Sequence, residues 1–161
     1  MPCIGRRTLT PAFPPIEDLL PHRGAMLLLE RITASDGSGV EAQAEISPSG
    51  WYVDESGAMP GWIGLELMAQ AAAAQVGLEA WFEGRAAKPG VLLGTRNFQA
   101  NSPAAAAGTK LRVTARSSLL DEDGFGAFEC AVYDGPKELF SATLTVYQPA
   151  DFAAFLEQAR P

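Results

Sequence analysis

The stretch MPGWIGLELMAQAAAAQVGLEAW, Met59 to Trp81, decides the fold. Pro60-Gly61 opens it, and strong helix formers follow. A helix from Gly61 to about Phe82 would run roughly 33 Å at the usual rise per residue. It is apolar on all sides, which means a helix enclosed by something. Glu66, Gln70, Gln75 and Glu79 interrupt the run, so it holds no charge-free span long enough for a bilayer. The enclosure is therefore expected to be protein. At about 100° per residue, Trp62, Glu66 and Gln70 stack on one face. Gln75 and Glu79 fall on the opposite side, where the helix is expected to meet solvent. Glu66 has apolar neighbours on both sides, so its carboxylate must be partnered or stay protonated. That makes it the first candidate for acid or base chemistry, against the plainer alternative of a structural Glu bonded to a loop.

Outward from the helix, the chain divides into short runs. Met1 to Pro15 is rich in Pro and basic residues and is expected to be an N-terminal arm. Ile16 to Leu20 suits one helical turn, which Pro21 ends. Met26 to Ile32 (MLLLERI) reads as a strand, Asp36-Gly37-Ser38-Gly39 as a turn, and Val40 to Ile46 as an alternating, half-buried strand. Together they predict a hairpin. Ser47 to Ala58 reads as a loop whose Trp51 and Tyr52 are large enough to line a site. After the helix, Gly90 to Gln99 reads as a strand kinked at Gly94, and Ala100 to Gly108 as a loop. Thr109 to Leu120, Gly126 to Asp134 and Glu138 to Gln148 are three further strands, joined by Asp- and Gly-containing turns. Asp151 to Ala159 suits a short terminal helix.

Two strands, one long helix and four strands do not alternate as a doubly wound parallel sheet does. The architecture expected is α+β: an antiparallel sheet of about five to six strands curled around one long central helix. The 161 residues suit a single domain, 1–161. A lone curled sheet leaves an edge strand uncovered, so a homodimer is expected. The net charge of −7 disfavours a nucleic-acid partner. Cys3 and Cys130 have neither the number nor the spacing of a metal site or disulfide framework, and Cys130 sits in an apolar run that reads as core. No metal and no cofactor are called for. Arg6 and Arg7 are followed by a proline-broken segment and not by an apolar one, so a cytoplasmic, non-membrane protein is expected.

Two groups of residues carry a resemblance. Leu20-Pro21-His22-Arg23 followed by Met26 to Arg31 is similar to the opening of bacterial β-hydroxyacyl-carrier-protein dehydratases, which have the hotdog fold. Met59-Pro60-Gly61 with Glu66, Met68, Ala69, Gln70 and Ala71 is similar to their catalytic helix and its approach. Leu92 to Arg96, Gly126 to Cys130 and Val146 to Pro149 resemble a divergent branch of predicted 3-hydroxyacyl-carrier-protein dehydratases, part of it associated with aryl-polyene pathways. The likeness spans most of the chain. It implies dehydration of a 3-hydroxyacyl thioester to the 2-enoyl thioester in fatty-acid or polyene-type biosynthesis. A His would remove the α-proton, Glu66 would protonate the departing hydroxyl, and an amide at the helix start, from Gly61 or just after it, would polarise the carbonyl. Trp62 and Gln70, on the Glu66 face, are expected at the substrate. Acyl carrier protein or coenzyme A would carry the acyl group.

The chain departs from that pattern in two places. The family's His-Phe-Pro-Gly segment is replaced by Trp51 to Ala58, which has no His; Tyr52 takes its position. Tyr, with an ordinary pKa of about 10, is a poor base near neutrality. The one His of the chain is His22. Either His22 reaches the site as the base, or it anchors its loop and dehydratase chemistry is lost. The relatives' basic segment after the helix is also nearly uncharged here, which leaves Arg96, with Arg85 and Lys88 before it and Lys110 and Arg112 after it, as candidates for a phosphopantetheine phosphate. A hotdog thioesterase using Glu66 to activate water, or a non-catalytic acyl-thioester-binding partner subunit of a heterodimer, are the alternatives.

Overall fold

A computed structural model describes residues 12–161; Cys3 and most of the expected arm lie outside the described residues. The long apolar run forms α2, Ile63–Phe82, and the turns around it resolve into α1 (Ile16–Leu19), β1 (Arg31–Ser35), β2 (Gly39–Glu45) and β3 (Ala58–Pro60). After α2 come β4 (Val91–Ala100), β5 (Ala104–Ala106), β6 (Lys110–Leu120), β7 (Phe125–Asp134), β8 (Lys137–Tyr147) and α3 (Phe152–Gln158). The main sheet is antiparallel throughout, six strands in the order β1-β2-β6-β7-β8-β4. The helix packs against β2, β6, β7 and β8. Alternation decides which face is inward: Leu111, Val113 and Ala115 of β6 and Phe128, Cys130 and Val132 of β7 are buried beneath α2. Cys130 donates its thiol to the Met68 carbonyl, and burial pushes that thiol up to about 12, so it is core and not a nucleophile. No helix of the described residues is long and apolar enough to cross a membrane.

Three expectations are corrected. The strand expected over Met26 to Ile32 begins only at Arg31. Gly24–Met26 is a short 3₁₀ turn instead, and the backbone beyond it is bonded elsewhere. Gln70 of α2 donates to the Met26 carbonyl and accepts from the Leu28 and Leu29 amides, groups that a ladder would otherwise use. The Gln75 side of α2 does not meet solvent: Gln75 is 1% exposed and donates to the Gly37 carbonyl and to Glu79. The β1–β2 hairpin tip covers it. That tip is held by Asp36, whose carboxyl Arg116 and the Ser38 and Gly39 amides keep well below the usual carboxylate range. Third, the loop over Ala100 to Gly108 contains β5, which pairs with β3 ahead of the helix and makes a second, two-stranded sheet.

β4 is the edge of the main sheet, and most of it is exposed, including Leu92, Leu93 and Phe98. Its register slips between Leu92 and Gly94, where the kink is expected, and again between Arg96 and Gln99. Asn97 adopts a left-handed conformation (φ 54°) in that second bulge. Asn tolerates it because its short side chain can bond locally.

Candidate functional site

α2 is seated by close backbone contacts. Gly64 has no room for a side chain: a Cβ there would lie 2.8 Å from the Phe140 ring of β8. The first turn is thereby held against the sheet, and Glu66 follows on the side facing the N-terminal segment. The Glu66 side chain is 34% exposed, half-open and not sealed in the core. It is partnered on the helix itself. Gln70, one turn on, donates to Glu66 Oε1 at 2.8 Å.

Gln70 is 0% exposed and uses every polar valence it has there. Its Nε2 also donates to the Met26 carbonyl (2.7 Å), and its Oε1 accepts from Leu28 (2.9 Å) and Leu29 (3.4 Å). Expected at the substrate, Gln70 instead joins the helix to the segment that carries His22. That segment leaves α1 at Leu19, is extended at Leu20, bends at Pro21 and is extended again at Arg23, whose guanidinium donates to the Leu20 and His22 carbonyls. Loop anchoring thus falls to Arg23 and Gln70. The His22 ring is left to face Glu66, with Nε2 3.6 Å from Oε1 in the same chain. Its Nδ1 is buried and has no hydrogen-bond partner among the described residues. Glu66 Oε2 makes no hydrogen bond among the described residues, so one carboxylate oxygen is held and the other is free.

The pair stands at a cavity of about 210 Å³. The cavity follows one face of α2 past Ala69, Ala73 and Val76, with Val146 and the edge residue Leu92 opposite. Small side chains on the helix leave the space, and an extended apolar chain would remove their surface from water. Lys88, Tyr147 and Gln148 also line it, and Gln148 donates to the Lys88 carbonyl. The sequence signalled none of these as a group, because they meet only through the packing of β8 beside the exit from α2.

The other expected site residues lie apart from the pair. Gly61 cannot offer its amide at the helix start, because that N–H donates to the Pro103 carbonyl at 3.0 Å. The amides just after it, of Trp62 and Ile63, have no backbone acceptor among the described residues, so the helix-start donors are there. The Trp62 side chain is 62% exposed. Tyr52 packs edge-on against Trp51 and accepts from the Ser47 amide; it does not line the His22–Glu66 cavity. Arg96 sits on the exposed edge of β4, at the second bulge, also away from the cavity.

Geometrically, then, the site is an imidazole and a carboxylate at van der Waals separation, one oxygen of the latter clamped, beside an apolar groove. That arrangement can take a proton from one atom of a bound molecule and give one to a group on a neighbouring atom.

No curated protein matches the chain. Among solved structures it resembles a chain of the dehydratase heterocomplex ApeI:P from Xenorhabdus doucetiae, at 30% identity and TM-score 0.85, covering 93% of this chain and 100% of that one. An uncharacterized protein from Pyrococcus horikoshii shares the fold at 18% identity and TM-score 0.63, over 88% of this chain and 98% of that one. The E. coli PaaI protein of the phenylacetic acid degradation operon does so at 14% and 0.56, over 73% and 81%. The ApeP-like model, described as ApeP dehydratase, matches residues 14–157. With nearly the whole chain matched, and the six-stranded sheet and long helix in place, this protein is a hotdog-fold member of the ApeP-like dehydratase family.

Proposed function

We propose that the protein dehydrates a 3-hydroxyacyl thioester, carried on acyl carrier protein, to the 2-enoyl thioester. The observation that carries this reading is the 3.6 Å approach of His22 Nε2 to Glu66 Oε1. His22 acts as the base, taking the proton from the α-carbon next to the thioester carbonyl. Glu66 acts as the acid, giving its proton to the β-hydroxyl, which leaves as water while the α–β double bond forms. The two groups are adjacent, so they address one side of the bound chain, which suits removal of both fragments from that side. Gln70 is a positioning residue: it holds Oε1 and leaves Oε2 for the hydroxyl. After turnover the pair holds His22 protonated and Glu66 ionised, and transfer between them restores the starting state. The free amides at Trp62 and Ile63 are where the thioester oxygen would gain hydrogen bonds as negative charge develops.

The test is the product. A purified sample given a 3-hydroxyacyl thioester should yield the enoyl thioester. Release of free thiol would instead mean a thioesterase, and neither product would mean an acyl-thioester-binding subunit; either result sinks the proposal.

We also propose that the β4 edge is covered by a second copy. A ten-residue edge strand, paired to β8 on one side only and carrying exposed Leu92, Leu93 and Phe98, is a poor surface to leave in water. Leu92 belongs also to the cavity wall, so a chain laid along β4 would close the groove. The ApeI:P structure is of a heterocomplex, which makes a related subunit the alternative occupant of the same edge. Sedimentation at micromolar concentration should show a homodimer. A monomer would contradict the proposed assembly.

A further inference from the structure

Gly77 stands in the interior of α2, a 20-residue helix, where glycine is the poorest residue but proline. A glycine there weakens the helix on its own, and the packing around it shows what it allows. A Cβ at Gly77 would lie 2.1 Å from the Leu19 carbonyl oxygen, 2.9 Å from its carbonyl carbon and 3.1 Å from its Cα. All three are backbone atoms of α1, so no side chain can rotate out of the way. Leu19 and Leu20 are each 1% exposed, so α1 is otherwise locked into the core.

His22 follows Leu19 by three residues. Along α2, Gly77 and Glu66 are eleven residues apart, roughly 16 Å of helix. Three residues of extended chain reach at most about 11 Å. The backbone from Leu19 covers only part of that distance, extended at Leu20 (φ −120°, ψ 144°) and bent at Pro21, and the His22 and Glu66 side chains close the remainder. A link of three residues with a proline at its centre has little freedom to absorb a shift at its origin.

We propose that Gly77 is a positioning residue for His22: by letting the α1 backbone lie directly on α2, it sets where the imidazole stands relative to Glu66. The inference rests on the His22–Glu66 reading for its catalytic consequence, but the placement itself is independent of turnover. Gly77→Ala must push α1 off the helix by roughly 1 Å to restore ordinary contact distances. That displacement passes along the short, proline-stiffened link to the ring. A misplacement of that size costs about a hundredfold in rate even when it originates far from the chemistry. Helix propensity alone favours the substitution, so a loss of activity would run against the local preference.

The experiment has two arms. The first measures dehydration of a 3-hydroxyacyl thioester by Gly77→Ala, where kcat should fall about a hundredfold. The second follows the His22 ring by NMR, unambiguous because the chain has one His. In the otherwise native protein, Glu66→Gln should shift the His22 ring resonances; in a Gly77→Ala background that response should be lost. A merely structural glycine would leave the response intact. Retained kcat together with a retained response overturns the proposal. The second arm needs no turnover: a protein that dehydrates nothing yet shows the response and its loss would sink the dehydratase reading and keep this one. Should Gly77→Ala fail to fold, both readouts are taken on Pro21→Gly. That change leaves the α1 contact and the core intact but frees the link to His22. Loss of the response and a lower kcat would support the proposal, and native behaviour in both would overturn it.

Discussion

Glu66→Gln is expected to abolish turnover while the protein stays folded. The substitution is nearly isosteric, and the site can absorb it. Glu66 Oε1 accepts from Gln70, and the Gln carbonyl oxygen can accept the same bond. The side chain is a third exposed, so no buried vacancy or orphaned charge results. What is lost is the exchangeable acid proton: an amide can neither protonate a departing hydroxyl nor take the proton back from His22. Loss of acid catalysis alone is worth about two to four orders of magnitude. Removing one half of an adjacent pair that resets itself should place the remainder below detection. Thermal unfolding and the dehydration rate, measured on the same sample, check both halves. An unfolded variant would show that Glu66 is structural, and an active one would remove it from the mechanism.

His22→Asn is expected to lower the rate by about two to four orders of magnitude, the usual worth of a positioned base. The alternative role, loop anchoring, predicts a drop in stability of about 1 kcal/mol, with the rate unchanged. The hydrogen bonds around His22 bear on that choice. Arg23 and Gln70 make the anchoring bonds, and His22 Nδ1 makes none among the described residues. The substitution should therefore change the unfolding temperature little and the rate a great deal. No second imidazole exists in the chain to take over. A variant that dehydrates at near-native rate would leave Glu66 or a bound water as the base and end the two-residue mechanism.

The legible part of this fold was the part governed by short-range pattern. The apolar run from Ile63 to Phe82, the alternation in β6, β7 and β8, and the Asp-Gly turns between them each follow from local chemistry, and the strands fell within a residue or so of their places. Two of the three corrected expectations share one cause, a buried amide committed to a distant backbone, while the third, β5, forms by pairing with β3 across the long helix. Gln70 reaches more than forty residues back to bond Met26, Leu28 and Leu29, which turns an apparent strand into an irregular segment. Gln75 reaches 38 residues back to Gly37, which makes an apparently solvent-facing side of the helix a covered one. Polarity on a helix suggests exposure, and no local signal distinguishes a solvated Gln from one that bonds inside.

The candidate site divides in the same way. Glu66 stands out from its helix by polarity alone, and Gln70 with it. His22 was visible as the one imidazole but not as a neighbour of Glu66, since 44 residues separate them and α1, the loop and Gln70 together bring them within reach. Tyr52, Arg96 and Gly61 were drawn from position within a family pattern. Here the first two lie off the cavity, and the Gly61 amide is spent on Pro103.

Hydrogen exchange at the substrate α-carbon tests the central proposal most directly. In deuterated water, the protein is allowed to equilibrate a 3-hydroxyacyl thioester with its enoyl product, and deuterium at the α-carbon is followed by mass and NMR. An imidazole that takes the α-proton exchanges it with solvent before returning it, so the native protein should incorporate deuterium there, and His22→Asn should incorporate essentially none. Incorporation by His22→Asn at the native rate would contradict the assignment of His22 as the base.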